Sequence, residues 1–334
     1  MHKARKAVYL LCCLLSVIVM AAALLSVFRD TPNRYLKMLD FPRIQLFWLS
    51  LAGLLLFVLM TRRWRWYDYA FVVGLLGGTV VQARYLINYT PLVATAVPDA
   101  AERVMEADRF RLLVLNVLEE NRQTGAVERL IREEDPDVLL LMETTPRWLD
   151  ALRPVTAGYN YRREVPNERG YGMLLYSRLP LENVTVHYLS NEDVPSIESD
   201  LQLENGRTVR LWAVHPVPPT RFDNLPDNAG EEEVAMKRVG NKIKDSPYPV
   251  VVAGDINDVV WSQTDALMGT EDLMHDVRVG RWPLNTFDAG KWYLRWPLDH
   301  VFVTEEFRLA RLKRGAYVGS DHYPVVADLV LPGR

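Results

Sequence analysis

Cysteine is almost absent from this chain of 334 residues: only Cys12 and Cys13 occur, side by side in an apolar run. Residues 101–334 have none, which excludes a disulfide framework and a thiolate metal site there. In the apolar run the two thiols read as hydrophobic filler, with lipidation the alternative. Acidic residues are scarce in the first hundred positions, with 4 Asp+Glu against 11 Lys+Arg. Taken from chain totals of 42 and 39, this leaves 38 acidic and 28 basic residues in 101–334, a net charge of −10. An acidic domain argues against tight bulk binding of nucleic acid, which needs many phosphate-neutralising cations. It suits a divalent cation, whose ligands are mostly carboxylates. There is no internal repeat and no low-complexity segment.

The long apolar runs all lie in residues 1–90. Residues 7–28 are uncharged, 44–60 are uncharged, and 69–87 form a less pure run with Gly74, Gly77, Gly78 and Arg84. About 20 such residues cross a bilayer as a helix. Trp64, Trp66, Tyr67 and Tyr69 precede the third run as an interfacial belt would. The expectation is an anchor of about three transmembrane helices, 7–28, 44–60 and 69–87, with the lipid bilayer as a partner. A signal peptide ending near Ala21–Ala23 is the competing reading of the first run. Lys3, Arg5 and Lys6, and then Arg62, Arg63 and Arg65, mark the cytoplasmic side. Arg29, Arg34, Lys37 and Arg43 in the first loop dilute that signal. Three spans would put the C-terminal domain on the periplasmic or extracellular side of a bacterial inner membrane; two would reverse it. Residues 91–107, with Pro91 and Pro98, read as a linker, and 108–334 as the catalytic domain.

Within that domain, RFRLLVLNV (109–117) and VLLLM (138–142) predict buried strands. Further strands are expected at 172–176, 185–188, 209–214, 250–253, 298–303 and 325–330. Helices are expected at 125–134, ended by Asp135-Pro136, at 148–152 and at 231–244. Many strands reached by short turns, with a few helices, predict packed sheets covered by helices.

Polar residues sit where these strands end: Asn116, Glu143, Asp255 with Asn257, Asp299, and Asp321-His322 just before the last strand. One Asp or Asn after a strand is ordinarily a turn residue. Five such places, each spliced to an apolar strand, can meet at one edge of a sandwich. Phosphate-ester cleavage asks for this set: a metal to offset phosphoryl charge, a base for water and a group to steady the developing charge. Oxygen ligands suit Mg²⁺ or Mn²⁺ over zinc. A histidine oriented by a carboxylate keeps one tautomer and can act on the phosphate.

Five blocks then occur in order: LNV (115–117), PDVLLLMET (136–144), AVHPVPP (213–219), AGDIND (253–258) and GSDHYPVVADL (319–329). With these the sequence resembles the endonuclease/exonuclease/phosphatase superfamily. GYGMLLYSRLP and WPLDHVFV are similar to its bacterial membrane-anchored branch. The resemblance implies a four-layer α/β/β/α sandwich, deoxyribonuclease I-like, preceded here by transmembrane helices. It also implies Mg²⁺ or Mn²⁺ as cofactor and a phosphate ester, nucleic acid or lipid, as substrate. By position, Asn116 and Glu143 would bind the metal, with Glu143 the chief ligand, and Asp321 would sit in or near its shell. Asp255 would orient or deprotonate the attacking water, and Asn257 would hold the phosphate or the metal. His322 would contact the scissile phosphate with Asp299 fixing its ring, and His215 would be the second active-site histidine. Met142 stands where many relatives have Gln before the metal-binding Glu.

Other residues carry open readings. Asn121 and Arg122, just after the Asn116 strand, are candidates for gripping phosphate. His300 should face away from Asp299 by the two-residue strand period. His187 and His275 read as structural or surface residues. Arg162, Arg163, Arg169 and Arg178 read as solvated surface, with headgroup binding the sharper alternative. Trp261, Trp282, Trp292, Tyr293 and Trp296 could line a groove or pack a core. The spans hold few polar groups beyond Asp68 and Arg84, so they read as an anchor and not as a transporter or sensor. No stable protein partner is expected. The rival to an enzyme is a catalytically inactive membrane-tethered binding module, which should lack a metal ligand or the histidine.

Overall fold

The structure, a computed structural model, describes residues 2–28, 34–103, 105–190, 192–218, 234–262, 266 and 268–333. Arg29 of the first loop, Pro219 of the AVHPVPP block and residues 231–233 of the expected third helix lie outside the described residues. The chain divides into two compact units, Met1–Val93 and Ala94–Arg334.

The first unit is helical: α1 (His2–Leu25), α2 (Arg34–Lys37), α3 (Arg43–Met60) and α4 (Trp66–Leu86). Asp68 accepts the Arg65 N–H at 2.7 Å and caps the start of α4, which explains a buried carboxylate at the edge of an apolar run. Among the described residues two helices are long and apolar enough to cross a membrane, Arg43–Met60 and Trp66–Tyr89, and Tyr9–Leu25 is a shorter apolar stretch. The unit is inverted relative to a water-soluble bundle. Leu14, Ile18, Trp48, Leu59, Val73 and Val80 are exposed, whereas Ser26, Asp40, Arg43 and Gln82 are buried.

The expectation that these helices hold few polar groups is therefore corrected. Arg43, counted as a loop residue, begins α3 and is fully buried. It pairs with Asp40, donates to Gln82 Oε1 at 3.0 Å and to the Ser26 carbonyl at 2.8 Å, and lies 3.8 Å over the Tyr85 ring. Gln82 in turn donates to the Ala23 carbonyl at 2.9 Å. One guanidinium thus ties the ends of α1, α3 and α4 together. The α4 glycines serve the same packing: a Cβ on Gly74 would lie 2.1 Å from Met20 Sδ of α1.

The second unit contains α5 (Thr124–Glu134), α6 (Pro146–Thr156), α7 (Val234–Lys244) and twelve strands. The strands are β1 (Arg109–Asn116), β2 (Val138–Met142), β3 (Tyr161–Val165), β4 (Met173–Ser177), β5 (Leu181–Tyr188) and β6 (Pro195–Gln202). They continue as β7 (Thr208–Ala213), β8 (Val250–Asp255), β9 (His275–Asp276), β10 (Asp299–Val303), β11 (Arg308–Arg314) and β12 (Val325–Val330). Two six-stranded sheets result, in the orders β11-β12-β1-β2-β4-β3 and β5-β6-β7-β8-β10-β9.

Strand parity builds the layers. Phe110, Leu112 and Val114 of β1 meet Val251 and Ala253 of β8 in the core between the sheets. Leu113 and Leu115 face outward to α5 and α6, where Val127, Ile131, Trp148 and Leu152 cover them. On the far side Trp212, Val252 and Phe302 are covered by Met236, Val239 and Ile243 of α7. The architecture is the α/β/β/α sandwich expected.

Four strands escaped the sequence reading, and their composition explains it. β3 (YRREV) and β11 (RLARLKR) are charged edge strands, β6 opens with proline and carries Glu198 and Asp200, and β9 has two residues. The 148–152 helix extends to Pro146–Thr156, with proline in its first turn. Part of the expected linker is built into the sandwich. Val97 is buried in the central core, and Pro98 and Ala100 exchange backbone hydrogen bonds with Leu309 at 3.0 and 2.9 Å.

Removing Arg43 would take away the guanidinium that pairs with the buried Asp40, and breaking such a pair costs about 3–5 kcal/mol. Arg43→Met should lower the thermal midpoint of the detergent-solubilised chain, and a second change, Asp40→Leu, should recover part of the loss. An unchanged midpoint in Arg43→Met would show that this cluster does not hold the helices together.

Candidate active site

Parity also aims the site. Asn116, Asp255 and Asp299 continue the inward-facing series of β1, β8 and β10. They therefore extend from the core between the sheets at the end where β1 and β8 stop and β10 starts. Glu143 follows β2 directly, in a left-handed backbone conformation with φ 56°, and Asn257 repeats it at φ 57°. Such conformations cost of order 1 kcal/mol or more and cluster at functional sites. Gly254 lets the end of β8 pack against the residue that follows β7 in the same sheet: its φ is 151°, and a Cβ there would lie 1.8 Å from the Val214 carbonyl oxygen.

The side chains form one connected set. Asn116 Nδ2 donates to Glu143 Oε1 at 2.7 Å and to Asp255 Oδ2 at 3.1 Å. His322 Nδ1 lies 2.8 Å from Asp299 Oδ2, and its Nε2 lies 3.4 Å from Asp255 Oδ2. His215 Nε2 approaches the same Asp255 oxygen at 3.7 Å, and its Nδ1 is buried without a partner among the described residues. Asp255 Oδ1 accepts the Asn257 N–H at 2.9 Å, while Asn257 Nδ2 donates to the Pro216 carbonyl at 3.0 Å beside His215. Asp321 is half-buried and lies within the electrostatic reach of Glu143, Asp255 and His322.

Burial sets the titration of the group. It pushes the Glu143 carboxyl up to about 8, with the Asn116 hydrogen bond and His322 opposing and Asp321 and Asp255 reinforcing. Burial raises Asp321 also. At His322 burial disfavours the imidazolium, but Asp299 and Asp255 outweigh it and carry its pKa up to about 10. His215 lacks a close hydrogen-bonded carboxylate, and burial holds it below its ordinary value. The two histidines are thus a cation and a neutral imidazole at pH 7.

The donors fit a divalent cation. Burial is what raises Glu143, and one side-chain amide alone donates to it among the described residues. Asp299 Oδ1 is buried with no partner among the described residues. Asp255, Asp299 and His322 offer ligand atoms within 4.8 Å of one another. His322 Nδ1 already engages Asp299, so this trio is a hydrogen-bonded relay, and Glu143 with Asn116 and Asp321 is the set short of countercharge.

Several expected residues fall elsewhere. Asn121 does not reach the site: its Nδ2 donates to the Val117 and Val318 carbonyls, both at 3.1 Å, and its Oδ1 accepts the Gln123 N–H. It pins the turn after β1, so its amide is not available to a phosphate. Arg122 beside it is exposed. Arg169 pairs with Asp193 at 2.5 Å and Arg178 pairs with Asp135, while Arg162 and Arg163 lie exposed on β3. His187 engages Glu198 at 2.7 Å and stacks on Trp212. His275 pairs with Val303 in β9. Trp261 is buried, whereas Trp282, Trp292 and Tyr293 are exposed. Trp296 stacks on Phe287.

The sequence reading missed three neighbours, Ser320, Phe287 and Tyr171, and noted a fourth, Met142, without its contact. Ser320 Oγ donates to the Asn116 carbonyl at 2.7 Å and accepts the His322 N–H at 3.0 Å, joining β1 to the loop that carries the histidine. The Phe287 ring lies 4.9 Å from that of His322, and the Tyr171 ring 5.3 Å from that of His215. Met142 is buried, and its Sδ accepts the Asp255 N–H at 3.1 Å, so the thioether braces the strand end of Asp255. Ser320, Tyr171 and Met142 had a signal in their places within the GSDHYP, GYGMLLYSRLP and PDVLLLMET blocks, whereas Phe287 depends on loop geometry.

A sequence model described as the Endonuclease/Exonuclease/phosphatase family matches residues 113–322. The chain belongs to that family. No curated protein matches the chain. Among solved structures it is similar to D. rerio TDP2 complexed with single strand DNA product, at 17% identity and TM-score 0.53 over 66% of this chain and 98% of that one. The endonuclease/exonuclease/phosphatase from Beutenbergia cavernae is 21% identical, with TM-score 0.53 over 68% and 72% of the two chains. The mannosyl-6-phosphatase Bt3783 of Bacteroides thetaiotaomicron is 16% identical, with TM-score 0.51 over 66% and 99%. At these identities the family members share a fold with this chain.

His300 is the counter-example within the motif region. It faces away from Asp299, is buried, and sets Nε2 2.8 Å from the Asp258 carbonyl oxygen. Burial, helped by Arg278, pushes its pKa down to about 3. The folded state therefore keeps it neutral, while the unfolded chain binds a proton below about pH 6.5. Its contribution to stability is present above that pH and falls by about 1.4 kcal/mol per unit as pH drops toward 3. Denaturant titrations at pH 7 and pH 5 should show a smaller acid loss in His300→Gln than in the parent; equal losses would place the sensitivity elsewhere. Gly254→Ala should cost about 3 kcal/mol or more by overpacking against Val214, and an unshifted thermal midpoint would contradict that close approach.

Proposed function

We propose that this chain is a membrane-anchored, metal-dependent phosphoesterase that hydrolyses a phosphodiester or phosphomonoester. The observation that carries the reading is the unbroken side-chain set from Asp299 through His322, Asp255 and Asn116 to Glu143. A binding module that had lost catalysis should have lost a member of that set.

Glu143, with Asn116 and Asp321, would hold Mg²⁺ or Mn²⁺, which when bound offsets charge on a phosphoryl oxygen. The remaining roles belong to the chain. Asp255 orients the attacking water and takes its proton, since it accepts from Asn116 on one oxygen and faces both histidines. His322, held as a cation by Asp299, places an N–H donor where charge develops on the scissile phosphate. His215, neutral, lies on the other approach to Asp255 and contacts the phosphate or the leaving group. Asn257 ties the β7 and β8 loops together and supports binding of the phosphate or the metal.

The helical unit supports the anchor: its exposed surface is large apolar side chains and its interior holds the polar ones. The basic residues before α1 and between α3 and α4 put these ends in the cytoplasm and, with three spans, the catalytic unit outside a bacterial inner membrane. The substrate class stays at phosphate ester. Family members of this fold include a sugar phosphatase and a protein crystallised with a DNA product.

The test uses the full chain in detergent with Mg²⁺, Mn²⁺ or EDTA. The substrates are p-nitrophenyl phosphate, bis-p-nitrophenyl phosphate, plasmid DNA and phospholipid vesicles. Turnover should require the cation and fall by about 10²–10⁴-fold in His322→Ala, with a comparable loss in Glu143→Ala. Turnover that survives both substitutions, or persists in EDTA, would refute the assignment.

A further inference from the structure

A second concavity lies at the opposite end of the sandwich, where β8 begins and β10 ends. It has a volume of about 460 Å³, within the range of small-molecule sites. Six residues of β8 run from Val250 on its wall to Asp255 in the candidate active site, roughly 17 Å at ~3.3 Å per residue. The cavity is therefore separate from the site described above.

Its wall carries Arg207, Lys244 and Arg308, with Glu306 as the one acid. Three basic residues line one cavity in a domain whose net charge is −10. None of the three pairs with a carboxylate among the described residues. The two guanidiniums are held by backbone instead. Arg207 Nη1 donates to the Pro332 carbonyl, and Arg308 Nη1 donates to the Glu305 and Phe307 carbonyls at 2.9 and 2.7 Å. These bonds fix the guanidiniums and leave their other N–H donors over. The rest of the wall is mixed: Ser246 and Thr304 add hydroxyls, and the apolar part holds Val250 and Ile243, which are buried, Leu273, which is half-buried, and Tyr248, which is exposed.

We propose that this cavity is a binding site for a small organic phosphate, with Arg207, Arg308 and Lys244 on the phosphate and Tyr248 and Leu273 against its organic part. A phosphate monoester carries about 1.5–2 negative charges near pH 7, which calls for more than one cation. Fixed guanidiniums match its oxygens in pairs. The volume and the apolar wall leave room for more than the phosphate group alone. The site is independent of the phosphoesterase reading, because nothing in it cleaves the ligand.

The probe is phenylphosphonate, whose carbon–phosphorus bond is not an ester, titrated calorimetrically into the detergent-solubilised full chain in EDTA. Benzoate is the monoanionic comparison. The expected result is saturable phenylphosphonate binding that weakens with salt, exceeds benzoate binding, and is unchanged in His322→Ala. Arg207→Gln/Arg308→Gln should weaken it at least tenfold and Lys244→Gln about threefold. Lys244 is exposed, so the single variant decides the matter if the double variant does not fold. Binding unaffected by Lys244→Gln and by a folded double variant overturns the proposal. So does binding lost in His322→Ala, or no binding of phenylphosphonate at millimolar concentration.

Discussion

Asp255 and Asp299 stand opposite each other in the antiparallel pairing of β8 and β10, both buried. Two carboxylates so placed, away from water, repel strongly and are costly to desolvate. His322 resolves this: its two ring nitrogens reach one carboxylate each, at 2.8 and 3.4 Å. The histidine is held there by Ser320, which ties its loop to the end of β1, and by backbone bonds from its neighbours to Thr286 and Ala289. The sheet pairing, the last loop and the first strand are thus locked by one electrostatic requirement. The group that satisfies it is also a buried cation in the candidate site.

A second imbalance remains beside the first. Glu143 leaves β2 in a left-handed turn and meets an amide, with no cationic side chain bonded to it. Burial raises its carboxyl pKa. A divalent cation held there would favour the carboxylate and so couple metal binding to the ionisation of the site. His215 differs from His322 through one contact: it lacks a carboxylate on its second nitrogen. The same residue type is thereby given two protonation states a few ångströms apart.

The helical unit obeys the reverse rule of polarity. There polar groups are drawn inside around Arg43, and most of the leucines face out. Glycines let α4 approach α1 closely enough for Gln82 to reach the Ala23 carbonyl. In the sandwich the buried Asp255, Asp299 and His322 form the candidate site; in the helices the buried Arg43 and Asp40 serve packing.

By itself the sequence determined the strands with continuous apolar runs, the polar residue at each of their ends, and the family to which the blocks belong. These are properties of local pattern and spacing, and Asn116, Glu143, Asp255, Asp299 and His322 were legible for that reason. Parity even settled His300, which faces away as the strand period requires. Charged edge strands such as β3 and β11 were not legible, because their residues answer to solvent on one face. Nor was the fate of Asn121, whose position in the sequence favoured phosphate but whose amide is taken by two carbonyls. Only the tertiary structure decided which histidine carries charge, that Met142 braces Asp255, that Arg43 is buried, and that three cations share a cavity far from the motifs. Each of those depends on groups distant in the chain, and burial and hydrogen-bond satisfaction exist only once the sheets have closed.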